Sequence, residues 1–320
     1  MSKHLVKAAV VQAGSVMFDT PATLTKLVEL TRAAASQGAD IVVFPEAFVG
    51  GYPKGLDFGA RIGMRSPEGR EDFRRYYESA IELDGAECAQ ISAVARDNRV
   101  YLVVGVTERD GGTLYCTALM YAPEGTLLGK HRKLMPTALE RLVWGFGDGS
   151  TLTVVDSPIG RFGSVICWEN YMPLLRMAMY AQGIELYCAP TVDDRDTWLP
   201  TMRTIAIEGR CFVLSACQFL RRADAPVDYA AIQGDAPETV LIRGGSCIVD
   251  PLGNVLAEPT FGVETIRIAE LDRRIIPRAK FDLDVVGHYA RPDVFQLSVN
   301  RNVLEPVVFS GDAGAPALDK

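Results

Sequence analysis

Short apolar runs alternate with longer amphipathic stretches along the first half of the chain. The runs at 7–13 and 40–44 are rich in alanine and β-branched residues, and they predict two buried strands. Between them, Thr20 suits a helix N-cap, Pro21 suits the first helical position, and Gly38 can end the helix. The order strand, helix, strand is typical of a layered α/β fold.

The rest of the chain continues this alternation and adds hairpins. A region rich in glycine, proline and arginine at 50–66 predicts an irregular insertion. The elements predicted after it are helices at 73–83, 85–97, 173–182 and 198–209 and strands at 100–107, 114–121, 151–156, 163–167, 184–189, 211–216, 246–249, 255–258 and 265–271. This mixture predicts mixed sheets covered by helices, and two sheets packed back to back would fit the number of strands.

The composition indicates one folded unit. Of the 320 residues, 48% are hydrophobic and 23% are charged, which is typical of a chain that folds around a core and excludes disorder over most of its length. No linker rich in serine or proline interrupts the pattern, so residues 1–310 are predicted to form a single domain. Residues 311–320, which are rich in glycine, alanine and proline, are predicted to be a flexible tail.

The net charge restricts the partners of the protein. With 33 Lys and Arg against 40 Asp and Glu, the charge is −7, which argues against nucleic acid or an anionic membrane as the main partner. No apolar run approaches the roughly 18 residues that span a bilayer. The first residues lack the apolar core and cleavage site of a secretory signal, so the sequence predicts a cytoplasmic protein.

The number and spacing of the cysteines and histidines limit the kinds of site that the chain can form. The seven cysteines are odd in number and form no C-x-x-C pair, which argues against a disulfide framework and a structural zinc site. Most of them are expected to be small buried hydrophobic residues in a reducing compartment. The only histidines are His4, His131 and His288, which limits mechanisms that need a histidine base.

Three reactive side chains stand at the edges of apolar, strand-like stretches. Glu46 follows the run at 40–44, Lys133 lies in a dense basic segment, and Cys167 ends a strand beside Trp168. Taken singly, Glu46 reads as a capping or solvated acid, Lys133 as a surface cation and Cys167 as a buried thiol. Taken together, an acid, a cation and a thiol on three separate segments predict a converging site.

The three side chains would form a complete chemical set. A cysteine nucleophile needs a proton acceptor or a lowered pKa. A glutamate can be that acceptor if burial raises its pKa, and a lysine would favour thiolate and stabilise negative charge on the substrate. A Cys–His pair that uses His131 or His288 is the alternative; it predicts an essential histidine, whereas the first set predicts that Glu46 and Lys133 are essential.

Four segments resemble the signature segments of the nitrilase branch of the carbon–nitrogen hydrolase superfamily: FPEAFVGGYPKG (44–55), HRKLMPT (131–137), ERLVWGFGDGS (140–150) and ICWENYMP (166–173). The resemblance extends across nearly the whole chain, to VGHYARPDVFQL at 286–297. It implies a four-layer αββα sandwich, assembly into homodimers or larger homo-oligomers, and a Glu–Lys–Cys triad with no metal and no organic cofactor.

By motif, the resemblance places the triad on Glu46, Lys133 and Cys167 and a second glutamate on Glu140. It implies that Cys167 attacks a nitrile carbon to form a thioimidate, while Glu46 takes the thiol proton and later activates water. Lys133 would stabilise the developing charge, with the backbone N–H of Trp168 as a second donor. Glu140 would hold Lys133 or position the substrate.

Three aromatic residues are the predicted substrate-binding residues. Trp168 follows the nucleophile directly and is the expected pocket wall, while Tyr52 and Trp144 lie in matching segments; core packing is the competing interpretation of each. His131 and His288 also lie in matching segments, where they either support the site or make structural hydrogen bonds.

The resemblance implies hydrolysis of an organic nitrile to the carboxylic acid and ammonia. The alternatives are an amidase that uses the same triad, a nitrile or cyanide hydratase that releases the amide, and a catalytically silent binding protein. Presence of Glu46, Lys133, Glu140 and Cys167 argues against the last. Nothing in the sequence selects among aliphatic, arylacetonitrile, aromatic and cyano-amino-acid substrates.

Overall fold

The computed structural model describes residues 3–305 and 307; the predicted tail at 311–320 lies outside these described residues. The strands are β1 (Leu5–Gln12), β2 (Ile41–Val43), β3 (Ala60–Arg61), β4 (Met64–Arg65), β5 (Tyr101–Asp110), β6 (Thr113–Tyr121), β7 (Leu127–Arg132), β8 (Val154–Val155), β9 (Phe162–Ser164), β10 (Leu186–Cys188), β11 (Phe212–Ser215), β12 (Phe219–Arg221), β13 (Val240–Arg243), β14 (Cys247–Val249), β15 (Val255–Ala257) and β16 (Thr265–Asp272). The α-helices are α1 (Thr20–Ser36), α2 (Pro67–Ser79), α3 (Ala86–Asn98), α4 (Pro173–Ala181), α5 (Trp198–Gly209) and α6 (Ile275–Ala279). Short 3-10 helices lie at Ala138–Leu142, Gly149–Thr151, Cys167–Tyr171 and Arg222–Asp224.

Twelve of the strands form two six-stranded mixed sheets. The first has the order β16-β1-β2-β5-β6-β7, and the second has the order β15-β14-β11-β10-β9-β8. In each sheet three neighbouring strands are parallel, β1-β2-β5 in the first and β9-β10-β11 in the second, and the flanking strands are antiparallel. The carboxyl ends of the parallel strands therefore meet at one edge of each sheet, which is where α/β folds collect functional side chains.

The two sheets pack face to face between layers of helices. Along β1, Val6, Ala8 and Val10 face the second sheet and contribute to the core between the sheets, as the period of two in a strand requires. Their neighbours Ala9 and Val11 face outward, into the core beneath α1 and α3. The core on the outer side of the second sheet includes residues of α4 and α5. The predicted αββα sandwich is confirmed.

Two predicted helix starts are wrong, and capping explains both. The N-cap of α1 is Asp19, whose side chain accepts a hydrogen bond from the Ala22 N–H at 2.9 Å, and Thr20 is already helical. Helix α2 begins at Pro67 rather than at 73, because Ser66 accepts from the Gly69 N–H at 3.0 Å. Most of the first turns of α2 are exposed, so they carry no apolar period that would predict a helix.

Several short strands were also not predicted. The insertion at 50–66 contains the small hairpin β3–β4, and β12 pairs with β13 in a separate two-stranded sheet. The basic run before Lys133 belongs to β7, the edge strand of the first sheet. Charged residues on an edge strand hide its apolar alternation, which is why the sequence pattern indicates a basic loop here.

In residues 3–305 and 307, no helix is both long enough and apolar enough to cross a membrane.

One buried carboxylate connects three strands at this edge. Glu108 of β5 accepts hydrogen bonds from Thr117 Oγ1 of β6 at 2.7 Å, Lys130 Nζ of β7 at 2.8 Å and Arg132 Nη2 of β7 at 2.6 Å. Burial raises the pKa of this carboxyl, but the hydrogen bonds from Arg132, Lys130 and Thr117 outweigh it, and the pKa of Glu108 is lowered.

We expect Glu108→Gln to reduce the free energy of unfolding by about 2 kcal/mol at pH 7, because it removes charge-assisted hydrogen bonds. A lowered folded-state pKa contributes stability above the unfolded-state value, roughly 4.3, and this contribution is lost as the pH falls through the folded-state value. The difference between wild type and variant should therefore shrink below about pH 4. Urea unfolding at several pH values measures it; a difference that stays constant into acid would contradict the ionised carboxylate.

Candidate active site

The three predicted reactive side chains converge from both sheets. Glu46 lies three residues beyond β2, and Lys133 directly follows β7, so both come from the carboxyl ends of strands in the first sheet. Cys167 lies three residues beyond β9 of the second sheet. The site therefore forms across the junction of the two sheets.

The local backbone presents the Cys167 thiol at a sharp turn. Cys167 has φ of 49°, in the left-handed region, and it is the first residue of the 3-10 helix Cys167–Tyr171. This conformation costs a non-glycine residue about 1–2 kcal/mol, and strand-to-helix turns of this kind expose nucleophiles in other hydrolases. The Cys167 N–H donates to Pro190 O at 2.9 Å, and Thr191 Oγ1 donates to Cys167 Sγ at 3.3 Å.

Lys133 is a fully buried ammonium held between two carboxylates. Its Nζ lies 2.6 Å from Glu46 Oε1 and 2.8 Å from Glu140 Oε2. The ring centroid of Trp144 is 5.4 Å from the same nitrogen. A buried ammonium needs these partners, because moving a charge out of water costs several kcal/mol of free energy. The two carboxylates and the face of the indole offset this cost.

The two oxygens of Glu46 have different surroundings. Oε1 accepts from Lys133 Nζ and from Cys116 Sγ at 3.5 Å. Oε2 is buried and accepts no hydrogen bond from the part of the chain that the structure describes. Gln218 Nε2 donates to the Glu46 backbone oxygen at 2.8 Å and fixes the turn. Oε2 is therefore the oxygen that can accept a proton.

The electrostatic balance favours a neutral thiol beside a charged pair. Burial and the nearby Glu46 raise the pKa of Cys167 well above its ordinary value, despite Lys133. Burial lowers the pKa of Lys133, but Glu46 and Cys167 oppose this and the pKa is raised; burial raises the pKa of Glu46, and Lys133 reduces that shift. Lys133 lowers the pKa of Cys167, as expected, but burial and Glu46 outweigh this effect, so attack by sulfur needs a base.

Glu140 fixes Lys133 from the opposite side. Its Oε2 also accepts from the Thr137 N–H at 2.6 Å, and its Oε1 accepts from Tyr52 Oη at 2.7 Å. Burial and the Glu140 charge raise the pKa of Tyr52, so this phenol stays protonated and donates. Of the two roles considered for Glu140, the contacts fit holding Lys133.

The three aromatic residues predicted for the pocket lie in two different cavities. Tyr52 and Trp144 meet edge to face, with ring centroids 5.7 Å apart, and line a cavity of about 260 Å³ beside Glu140. Trp144 is 2% exposed and donates from Nε1 to Tyr76 Oη at 3.0 Å, so most of its surface is packing. Trp168 is 41% exposed and lines a second cavity of about 410 Å³.

Trp168 is held at its position by a neighbouring ion pair. Its Nε1 donates to Asp193 Oδ2 at 2.9 Å, and the guanidinium carbon of Arg195 lies 4.6 Å from its ring centroid. Arg195 in turn binds Asp193 through two nitrogens. The exposed indole is therefore fixed in orientation, as a wall residue must be if it is to select by shape.

The histidines do not contact the thiol. His131 hydrogen-bonds Glu169 and Thr151 O, and His288 is exposed beside Tyr289. In the described residues no histidine hydrogen-bonds Cys167, so the Cys–His alternative has no geometric support. Residues 3–305 and 307 also contain no group of three or more His, Cys, Asp or Glu side chains arranged as metal ligands.

Sequence reasoning missed three groups that contact the site. Thr191 lies three residues beyond β10, as Cys167 lies three residues beyond β9, but the sequence does not show that these two strand ends meet. Cys116 lies inside β6 and Gln218 precedes β12, where nothing local distinguishes them. Their contacts with Glu46 arise only when separate segments pack together.

The whole fold region matches a known family. The model of the carbon-nitrogen hydrolase family matches residues 7–280. An aliphatic nitrilase of Sinorhizobium fredii is 60% identical over 302 residues, covering 94% of this chain and 98% of the relative. A bifunctional nitrilase/nitrile hydratase of Nicotiana tabacum is 55% identical and covers 97% and 90%; nitrilase 2 of Arabidopsis thaliana is 53% identical and covers 96% and 92%.

Solved structures share the fold at much lower sequence identity. The NitFhit protein of C. elegans aligns with a TM-score of 0.74 at 21% identity, covering 96% of this chain and 70% of that one. An amidase from Nesterenkonia sp. aligns with a TM-score of 0.66 at 19% identity, covering 87% and 94%. At these identities the likeness concerns the fold alone.

Proposed function

We propose, because the chain belongs to the carbon–nitrogen hydrolase family, that Glu46, Lys133 and Cys167 form its catalytic triad. Relatives named as nitrilases, 53–60% identical over nearly the whole chain, identify the protein as a nitrilase, a hydrolase of carbon–nitrogen bonds in nitriles. The observation that best supports the triad is the buried Lys133 ammonium between Glu46 and Glu140, next to a thiol that needs a base.

The first step adds the thiol across the nitrile. Cys167 Sγ attacks the nitrile carbon while Glu46 Oε2 takes the thiol proton and passes it to the nitrile nitrogen, which leaves a covalent thioimidate. Negative charge develops on that nitrogen during the attack. Lys133 Nζ and the Trp168 N–H stabilise it, the second because the first N–H groups of a helix lack intrahelical partners.

The next steps consume two water molecules. Glu46 activates the first water, which attacks the thioimidate carbon and gives a tetrahedral intermediate that carries sulfur, oxygen and nitrogen. Protonation of the nitrogen and loss of ammonia leave an acyl-thioester. A second water, again activated by Glu46, hydrolyses the thioester to the carboxylic acid and returns the proton to Cys167.

Amide release is the second candidate outcome of the same site. If the tetrahedral intermediate expels the Cys167 sulfur instead of ammonia, the product is the amide and one water is consumed. The bifunctional nitrilase/nitrile hydratases at 54–55% identity support this branch. An amidase that acts only on amides has weaker support, because the amidase neighbours are below 20% identity.

Aliphatic nitriles are the first substrate class to test, since an aliphatic nitrilase is 60% identical to this chain. We expect ammonia and acid from some members of a panel of aliphatic, arylacetonitrile and aromatic nitriles, each paired with its amide, with liquid chromatography to separate acid from amide. Amide as a minor product would support the branch described above. Turnover of amides only, or of neither series by folded protein, would overturn the assignment to nitriles.

We also propose that the chain forms homodimers or larger homo-oligomers in the cytoplasm. Large apolar side chains that a second copy would cover support the first point; they include Leu174 at 67% and Phe295 at 79% exposure. Seven free cysteines support a reducing compartment. Light scattering at several protein concentrations tests the assembly, and cell fractionation tests the location.

A further inference from the structure

The Glu169 carboxylate connects the segments that carry two of the proposed catalytic residues. Its Oε1 accepts from the Leu134 N–H at 2.7 Å, and its Oε2 accepts from the Ile166 N–H at 3.0 Å. Leu134 directly follows Lys133, and Ile166 directly precedes Cys167. One side chain, fully buried, thus binds the backbone on both sides of the junction between the sheets.

Besides the Leu134 and Ile166 N–H groups, Glu169 has a third partner, the imidazole of His131 on β7. Its Nε2 lies 2.9 Å from Glu169 Oε2, and its Nδ1 lies 3.2 Å from Thr151 O. A carbonyl oxygen only accepts, so Nδ1 carries a proton. Both oxygens of Glu169 already accept a backbone N–H, which favours the ionised carboxylate, so Nε2 carries a proton too. Both side chains are shielded from water.

The direction of the pKa shift of His131 agrees with an imidazole that is protonated on both nitrogens. Burial lowers the pKa of the imidazole, but the Glu169 charge and hydrogen bond outweigh it and the pKa of His131 is raised. Two charged side chains in the interior are costly unless they are paired and fully hydrogen-bonded, and here each has its partners. Apolar residues of similar volume are often at least as stabilising as a buried ion pair, so the property that sets this pair apart is the backbone that Glu169 binds.

We propose that Glu169, paired with an imidazolium at His131, is a positioning residue that fixes the separation of Lys133 and Cys167. The proposal rests on the catalytic roles assigned to those two residues. Lys133 and Cys167 come from different sheets, so their relative position depends on contacts between the sheets. A displacement of about 1 Å at a reacting group can cost roughly 10²-fold in rate.

Glu169→Gln tests the proposal with an isosteric change. An amide has one acceptor oxygen and one donor nitrogen, so it cannot accept both backbone N–H groups. We expect kcat to fall by about 10²-fold with little change in KM. We also expect slower alkylation of Cys167 by iodoacetamide, followed by mass spectrometry of the Cys167 peptide, because the thiol is displaced from Glu46. This second readout needs no nitrile turnover.

Glu108→Gln is the matched control. It removes a similarly buried carboxylate whose partners, Lys130 and Arg132, flank His131 on β7, but it binds neither Lys133 nor the backbone N–H groups that Glu169 binds. We expect it to lower stability and leave kcat and the alkylation rate near wild type. Equal losses in the two variants would overturn the proposal in favour of general destabilisation, as would normal kcat and alkylation in Glu169→Gln.

The charged state of His131 is measured on the wild-type chain, whatever the fate of the variant. The chain has only three histidines, and His4 and His288 are exposed, so His4→Gln and His288→Gln assign the nitrogen resonances of ¹⁵N-histidine protein. We expect His131 to carry protons on both nitrogens at pH 7. A neutral ring would overturn the ion pair. A wild type inactive on nitriles would refute the proposed function only, since alkylation and resonances still test the pair.

Discussion

Cys167→Ala is expected to release no measurable ammonia from any nitrile, a loss of about 10⁶-fold in kcat if it resembles the removal of other catalytic nucleophiles. The thiol is the group that forms the covalent bond with substrate in the proposed sequence, and no carboxylate or ammonium can replace it. The substitution removes one sulfur atom and the bond from Thr191, so the variant should fold.

The covalent intermediate gives a direct readout of this result. Wild type mixed with substrate and quenched in acid should gain the mass of the acyl group on the Cys167 peptide, and the variant should gain nothing. Cys211→Ala is the control, because Cys211 is a fully buried thiol in the core on the outer side of the second sheet. Turnover by Cys167→Ala at a wild-type rate, or loss of activity in both variants, would count against Cys167 as nucleophile.

Glu46→Gln is expected to lower kcat by about 10²- to 10⁴-fold, the contribution of a general base. Glu140 still accompanies Lys133 in this variant, so the ammonium is not left unpaired. The groups around the carboxyl are Lys133, Glu140, Cys116 and Cys167. Burial has the largest effect and raises the pKa of Glu46. The charge of Lys133 lowers this pKa and that of Glu140 raises it, and the net shift is upward.

The pH profile distinguishes a base from a structural residue. In the proposed mechanism the proton acceptor is the ionised Glu46 carboxylate. Wild-type kcat/KM should therefore fall as the pH decreases through the pKa of Glu46, which burial raises above its ordinary value. Glu46→Gln should lose this acid limb, whereas Glu108→Gln should keep it. An unchanged acid limb in Glu46→Gln would assign that titration to another group.

The fold and the three central side chains were predictable because their signals are local. Helix α5 matches its predicted bounds of 198–209, since a clear apolar period ends there at a glycine. Glu46 and Cys167 could be found because each interrupts a strand-like run, and the resemblance of long segments identified Lys133. Such patterns depend on residues that are neighbours in sequence.

The supporting contacts were not predictable, because they join residues far apart in sequence. Thr191 contacts Cys167 across 24 positions, and Gln218 contacts the Glu46 backbone across 172. His131 was recognised as a possible support, but its link through Glu169 to both segments depends on how β7 and β9 are placed in two different sheets. The division of Tyr52 and Trp168 between two cavities likewise depends on tertiary packing.

The packing between the sheets has a consequence for engineering this protein. Lys133 comes from one sheet and Cys167 from the other. The thickness of the apolar layer between the sheets therefore sets the distance between the ammonium and the thiol. Because overpacking a close-packed layer is destabilising, a larger side chain at Val43 or Leu214 should lower thermal resistance. In the proposed mechanism it should also slow turnover, although neither residue belongs to the proposed triad. Stabilising changes are therefore best made on the outer faces of the sheets, beneath the helices, where they do not change the distance between the two sheets.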